Sequence, residues 1–131
     1  QVTQTTVRRP KHVLVVDDDP HIADMLRQVL PEAEFRLDSA LDGVAGLEAV
    51  KADPPDIILL DLMMPRLDGF GFIDRLRADP QTHTLPVIVI SAKDLTQAEA
   101  DRLTATVTRV MKKQGFQGDK LVDEITTALK S

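Results

Sequence analysis

Short, unbroken apolar runs that each end in a reactive polar side chain constrain this chain more than any other feature. Val13-Leu14-Val15-Val16 runs into Asp17-Asp18-Asp19, and Ile57-Ile58-Leu59-Leu60 runs into Asp61. Val87-Ile88-Val89-Ile90 ends at Ser91, and a fourth run around Val107 to Met111 ends at Lys112-Lys113. Four consecutive apolar residues without alternation read as strands buried on both faces, the signature of a parallel sheet. Between them lie segments with helical periodicity. Alternation of this kind favours an α/β domain, a parallel sheet covered by helices on both faces. In such sheets ligands bind outside the carboxyl ends of the strands, where these polar side chains fall.

The spacing predicts five β-α units. Strands are expected at about 12–17, 34–38, 56–61, 86–91 and 108–113. Asp19 is placed to cap a helix that has Pro20 at its first position and Ile22, Met25, Leu26, Val29 and Leu30 along one stripe, ending at Pro31. A second helix over 43–52 is expected to bury Val44, Leu47 and Val50, and a third over 69–78 to bury Phe70, Ile73 and Leu76. Thr96-Gln97-Ala98-Glu99 is a capping-box pattern that opens a fourth helix. A fifth, over 119–130, carries Leu121, Val122, Ile125 and Leu129. With 131 residues, 43% of them hydrophobic, the chain is one domain with a proper core. Residues 1–10 read as a polar tail or linker and 11–131 as the domain.

Several classes of function are set aside by composition. There is no cysteine, so disulfides, thiolate zinc sites and cysteine nucleophiles are excluded. No apolar run nears the roughly 20 residues of a membrane helix, and no signal-peptide pattern opens the chain. A cytoplasmic location without membrane contact is the expectation. The net charge of −5 argues against nucleic-acid binding. Arg8, Arg9 and Lys11 form a small basic patch, read as a solvated linker, with a phosphate- or lipid-contacting arm as the alternative.

Carboxylates gathered at neighbouring strand ends repel one another, by about 4 kcal/mol per pair at 4 Å and an effective dielectric near 20. A fold that keeps them together has a use for a cation. Oxygen donors without His or Cys suit a hard ion such as Mg²⁺. Beside such an ion a carboxylate can attack a phosphoryl group, and an ammonium and a hydroxyl can serve the transferred oxygens. Asp61, Asp17, Asp18, Ser91 and Lys113 make up that set.

The stretches Val13 to Pro20, Asp61-Leu62-Met63-Met64-Pro65-Arg66-Leu67-Asp68-Gly69, Pro86 to Ala92 and Lys113, in that order, resemble the receiver domain of two-component response regulators over about residues 11–130. The resemblance implies a three-layer (βα)5 sandwich of flavodoxin-like type, with strand order 2-1-3-4-5. It implies Asp61 as phosphoacceptor, Ser91 as the switch hydroxyl and Lys113 as the partner of the phosphoryl group. It further implies Mg²⁺ held by Asp18 directly, by Asp17 through water, by Asp61 and by the backbone carbonyl of Met63. The donor would be a phosphohistidine on a sensor histidine kinase or phosphotransfer domain, and the target an output domain or effector. The domain would catalyse only its own phosphotransfer and dephosphorylation. Either a stand-alone regulator or a module of a larger protein, such as a hybrid histidine kinase, fits.

The chain departs from the family at two places. Gln114-Gly115-Phe116 follows the lysine where proline is usual, and Val110 stands where many members carry a switching aromatic. Adjacent Lys112 and Lys113 leave two registers open, of which strand alternation admits one to the pocket; Lys113 is preferred. Asp68 with Gly69 reads as turn and cap chemistry, Lys93 as a solvated side chain or a pocket-rim residue, and Met63 and Met64 as packing apart from the implied carbonyl. His12, His21 and His83 share no spacing and receive no role. Two competing functions remain. One is a Mg²⁺-dependent, haloacid-dehalogenase-like phosphohydrolase using Asp17, which lacks a further acidic motif at Ser91-Ala92-Lys93-Asp94. The other is an interaction module indifferent to phosphorylation.

Overall fold

The computed structural model describes residues 10–113 and 118–130. Elements alternate throughout: β1 (Lys11–Val16), α1 (His21–Val29), β2 (Phe35–Ala40), α2 (Gly43–Ala52), β3 (Ile57–Leu60), α3 (Gly69–Ala78), β4 (Val87–Ser91), α4 (Gln97–Thr106), β5 (Arg109–Lys112) and α5 (Gly118–Lys130). The strands form one parallel sheet in the order β2-β1-β3-β4-β5. The order reverses after β1, so β1 and β3 are hydrogen-bonded neighbours, and their ends carry Asp17 and Asp61. That reversal is the crevice-forming point of a doubly wound sheet.

Successive strand side chains point to opposite faces, and the buried runs split accordingly. Val13, Val15, Ile57, Leu59, Ile88 and Ile90 face α1 and α5, meeting Ile22, Leu26, Leu121 and Ile125. Leu14, Val16, Ile58, Leu60, Val87 and Val89 face the other way, onto Val50, Phe72, Leu76 and Leu103 of α2, α3 and α4. The result is three layers with a core on each side of the sheet. Among the described residues no helix is long and apolar enough to cross a membrane.

Boundaries differ from expectation where pairing, not periodicity, sets them. β2 runs to Ala40 because it pairs with β1 from Lys11↔Phe35 to Val16↔Ala40, although only Ala40 among its residues is buried. β5 is shorter than 108–113, yet Thr108 N–H still donates to Val87 O and Lys113 N–H to Ser91 O, so the ladder bonds reach both residues. The α1 cap also moves. Pro20 is the cap residue, and the Asp19 carboxylate instead accepts the His21 N–H at 3.0 Å.

Helix faces are rotated from the simple stripes. In α1, Ala23 lies against the sheet while Val29 is 42% exposed. In α2 the buried face is Gly43, Gly46 and Val50, with Val44 and Leu47 half-buried. A Cβ on Gly46 would stand 2.9 Å from both Val16 and Phe72, so the glycine lets α2 lie close to β1 and α3. In α3 the core aromatic is Phe72, not Phe70. Phe70 is half-buried, and the Arg102 guanidinium sits 5.1 Å from its ring centroid. The α4 capping box forms in full: Thr96 Oγ1 accepts the Glu99 N–H, and Glu99 Oε1 accepts the Thr96 N–H. In α5, Ala128 is buried beside Leu121 and Ile125, with Val122 and Leu129 packed at the margin.

Phe72 fills the space between α3, α2 and β1. Phe72→Ala should therefore cost about 3–5 kcal/mol in denaturant unfolding, and Phe70→Ala on the order of 1 kcal/mol. Equal losses would contradict the helix orientation described.

Candidate functional site

Each candidate side chain stands where its strand leaves the sheet. Asp17, one residue past β1, is buried; its Oδ1 accepts the Asp19 N–H at 2.9 Å, which fixes the carboxylate to the turn. Asp61, one residue past β3, is also buried, and its Oδ1 accepts the Met63 N–H at 3.3 Å. Ser91 ends β4, and its Oγ accepts the Lys93 N–H at 3.0 Å. Lys113 follows β5. Its Nζ lies 2.9 Å from Asp17 Oδ2 and 3.5 Å from Asp61 Oδ2. Ser91 pairs with Lys112 in the ladder, so alternation sends Lys113 inward and leaves Lys112 exposed.

Asp18 is exposed, and its carboxylate makes no hydrogen bond or ion pair among the described residues. Oxygens of Asp17, Asp18 and Asp61 nevertheless lie within 4.8 Å of one another. The Lys113 ammonium reaches two of these three carboxylates, Asp17 and Asp61, and the donor set fits a hard divalent cation with oxygen ligands. Burial, then the Asp17 charge, pushes the Asp61 carboxyl up to about 6. The Met63 N–H and Lys113 act against that rise. Burial also works against the Lys113 ammonium, but Asp17 and Asp61 outweigh it and hold its pKa above the ordinary lysine value.

The loop after Asp61 is tightly fitted. Asp68 caps α3 by accepting the Gly71 N–H at 2.8 Å, which accounts for it as cap chemistry. A Cβ on Gly69 would lie 2.6 Å from Leu62 Cα and 2.8 Å from Asp61 O, so only glycine allows α3 to start this close to the strand end. Arg66 holds φ at +70°, with its guanidinium 3.6 Å from Asp42, the α2 cap. The Met63 side chain is 56% exposed, so packing does not explain it; Met64 packs on the α2/α3/α4 side of the core.

Other sequence readings come out differently. Lys93 is neither free in solvent nor turned to the carboxylates: its Nζ pairs with Glu99 Oε1 at 3.2 Å. That pair spans a loop and a cap at a spacing of six, which no helical or strand period would reveal. His12 is buried at the opposite end of the sheet, with Nε2 2.7 Å from Asp38. Asp38 and Asp53 lie close enough to His12 to form a second group of candidate ligands, but Arg36 already bridges the two carboxylates. Val110 is half-buried in β5. Gln114, Gly115 and Phe116, like Arg8 and Arg9, lie outside the described residues.

A doubly wound parallel sheet with three carboxylates, a serine and a lysine at its strand ends is the arrangement of a signalling receiver module. The chain belongs to the response regulator receiver domain family, whose model matches residues 13–126. It is 40% identical over 80 residues to the DNA-binding dual master transcriptional regulator RpaA of Synechocystis, covering 61% of this chain and 33% of that protein. It is 37% identical over 107 residues to the response regulator PleD of Caulobacter vibrioides, covering 76% and 24%. Hybrid signal transduction histidine kinase D of Dictyostelium discoideum matches at 35% over 91 residues, covering 70% and 6%. The chain thus spans a third or less of these relatives.

Among solved structures, the N-terminal domain of a receiver protein from Methanoculleus marisnigri is 35% identical with a TM-score of 0.71, covering 92% of this chain and 97% of that one. A Francisella receiver domain is 32% identical with a TM-score of 0.78 at the same coverage. The family model and these relatives lend no support to the phosphohydrolase alternative.

Two outcomes follow from this geometry. The folded-state pKa of Asp61 is raised, so the native state binds the proton more tightly, and stability is lost as pH rises from about 4 through about 6. With chelator present, Asp61→Asn should unfold later than the parent at pH 7, by about 1–2 kcal/mol. The advantage should shrink between pH 6 and pH 4, and a pH-independent difference would contradict the burial account. Gly69→Ala should cost about 1–3 kcal/mol in urea unfolding, because Leu62 and Asp61 must move.

Proposed function

We propose that Asp61 takes a phosphoryl group from a phosphohistidine of a sensor histidine kinase or phosphotransfer domain. The observation that carries this is the Lys113 ammonium, set 2.9 Å from Asp17 and 3.5 Å from Asp61 in a buried carboxylate cluster at the strand ends. Above pH about 6 Asp61 is ionised, and a carboxylate oxygen attacks the phosphorus. The P–O bond forms as the P–N bond to the histidine breaks, leaving an acyl phosphate. Lys113, freed from part of its pairing with Asp61, follows the negative charge onto the transferred oxygens, and the Ser91 hydroxyl donates to one of them. Asp17, Asp18, Asp61 and the Met63 carbonyl would hold Mg²⁺, which supplies charge neutralisation for the carboxylates and the phosphoryl oxygens. Asp18, with no partner among the described residues, suits direct ligation, whereas Asp17 is held by the Asp19 N–H and Lys113.

The same residues would govern hydrolysis of the acyl phosphate, the domain's own dephosphorylation. Residues 11–131 are taken as the receiver, residues 1–10 as a tail or linker, and the cytoplasm as the location. The similarity to a hybrid histidine kinase and to a transcriptional regulator supports a partner kinase and an output domain or effector, each for its own protein.

Incubation with acetyl phosphate and Mg²⁺ should add one phosphate mass to the protein, and Asp61→Asn should abolish it. Labelling that survives the substitution, or that needs no divalent ion, would overturn the assignment. Mg²⁺ at a hundredfold excess over Kd should stabilise the fold by about 2.7 kcal/mol. Asp18→Ala should remove most of that gain; an undiminished gain would put the ion elsewhere.

A further inference from the structure

We propose that Lys93 is a positioning residue that ties the Ser91 hydroxyl to the first turn of α4; the signalling use of that tie rests on the phosphoacceptor reading of Asp61. Lys93 holds both ends at once. Its backbone N–H donates to Ser91 Oγ at 3.0 Å, and its ammonium donates to Glu99 Oε1 at 3.2 Å. That same Glu99 oxygen accepts the Thr96 N–H at 3.0 Å, and so closes the capping box that starts α4. The Thr96 N–H, then Lys93, hold the Glu99 carboxyl below the usual glutamate range, keeping it a charged acceptor at neutral pH.

A serine hydroxyl has one donor and two acceptor lone pairs. Ser91 can donate toward a phosphoryl group on Asp61 while still accepting from Lys93. When Oγ moves, the Ser91–Lys93 turn moves with it, and the ammonium must stretch its Glu99 contact or draw the cap along.

The rest of α4 is held elsewhere, which makes its first turn the end free to respond. At the far end Arg77 Nε donates to the Thr106 carbonyl at 2.8 Å, while its NH1 reaches the carbonyls of Thr82, His83 and Leu85. In the middle, Arg102 bonds Asp74 and lies over Phe70, both on α3. At the first turn the side-chain ties are the capping box and Lys93, with a Gln97–Asp101 bond internal to the helix. Val110, half-buried, supplies no ring at that position to compete with this route.

The test needs no phosphate. Amide exchange at Thr96, Glu99 and Ala100 is measured by NMR in four proteins: parent, Ser91→Ala, Lys93→Met and the double variant. Ser91→Ala removes the acceptor of the Lys93 N–H and should speed exchange at these amides by roughly two- to fivefold, the range of an exposed ion pair. In the Lys93→Met background the same change should add nothing. Lys93→Arg should restore the parent behaviour. Additive effects of the two substitutions would overturn the tie.

The signalling half is read separately. With beryllofluoride and Mg²⁺, Lys93→Met should keep the Asp61-dependent response at residues 91–93 and lose it at 97–100. A full parental response at 97–100 would overturn the proposal. Loss of acetyl phosphate labelling in Lys93→Met would also overturn it, since Lys93 would then act in the pocket. Absence of an Asp61-dependent label in the parent would instead overturn the phosphoacceptor reading, and the four-protein cycle would still decide the tie.

Discussion

Asp17 and Asp61 are both acidic, both buried and held side by side because β1 and β3 are hydrogen-bonded neighbours. Asp61 N–H donates to Val16 O at 2.9 Å, so the backbone beneath the two carboxylates cannot spread to relieve their repulsion. The Lys113 ammonium offsets part of it, at 2.9 and 3.5 Å from the two groups. Burial first, and the remaining repulsion from Asp17 second, raise the Asp61 pKa to about 6. Much of the local architecture serves this crowding. The Gly69 contact packs the following loop against Leu62 and Asp61, and Asx bonds within the β1–α1 turn pin Asp17 and Asp19.

A site with surplus negative charge is poised to respond to whatever changes that charge. On the proposed reading, metal binding and phosphoryl transfer both redistribute charge around Asp61, and Lys113 and Ser91 are the neutral-pH donors that follow it. The two donors differ in how they connect to the rest of the molecule. Lys113 is tied to the carboxylates themselves, whereas Ser91 is joined through Lys93 to a helix cap. The helix so joined is fastened to α3 by Arg102 and to the α3–β4 connection by Arg77. The capped turn is the part of α4 that is joined to Ser91.

The parallel sheet was legible because each buried strand is a solid apolar run, and the strand-end residues because those runs stop abruptly at Asp17, Asp61 and Ser91. The capping box was equally plain, since its two bonds depend on residues three apart. Helix faces were less so. Phe70 and Phe72 are both apolar and two positions apart, and only the packing against Gly46 decides that Phe72 goes inward. α2 buries two glycines that carry no hydrophobic signal at all. The Asp19 cap expectation failed by one position because Asp17 takes the Asp19 N–H and draws the turn tight.

Local chemistry is what the sequence by itself determined: which segments must be buried, which face two ways, and which strand ends carry carboxylate, hydroxyl or ammonium. Those properties follow from side-chain polarity and the fixed periods of helix and strand. Through-space pairings were decided by the tertiary structure alone. Adjacent Lys112 and Lys113 are chemically identical, and the β4–β5 register, Ser91 opposite Lys112, is what sends Lys113 to Asp17 and Asp61. Lys93 and Glu99 meet because a loop turns back onto a helix cap, and His12 meets Asp38 because β2 lies beside β1. Contacts between residues brought together by pairing register and loop path have no period along the chain, so only the folded backbone specifies them.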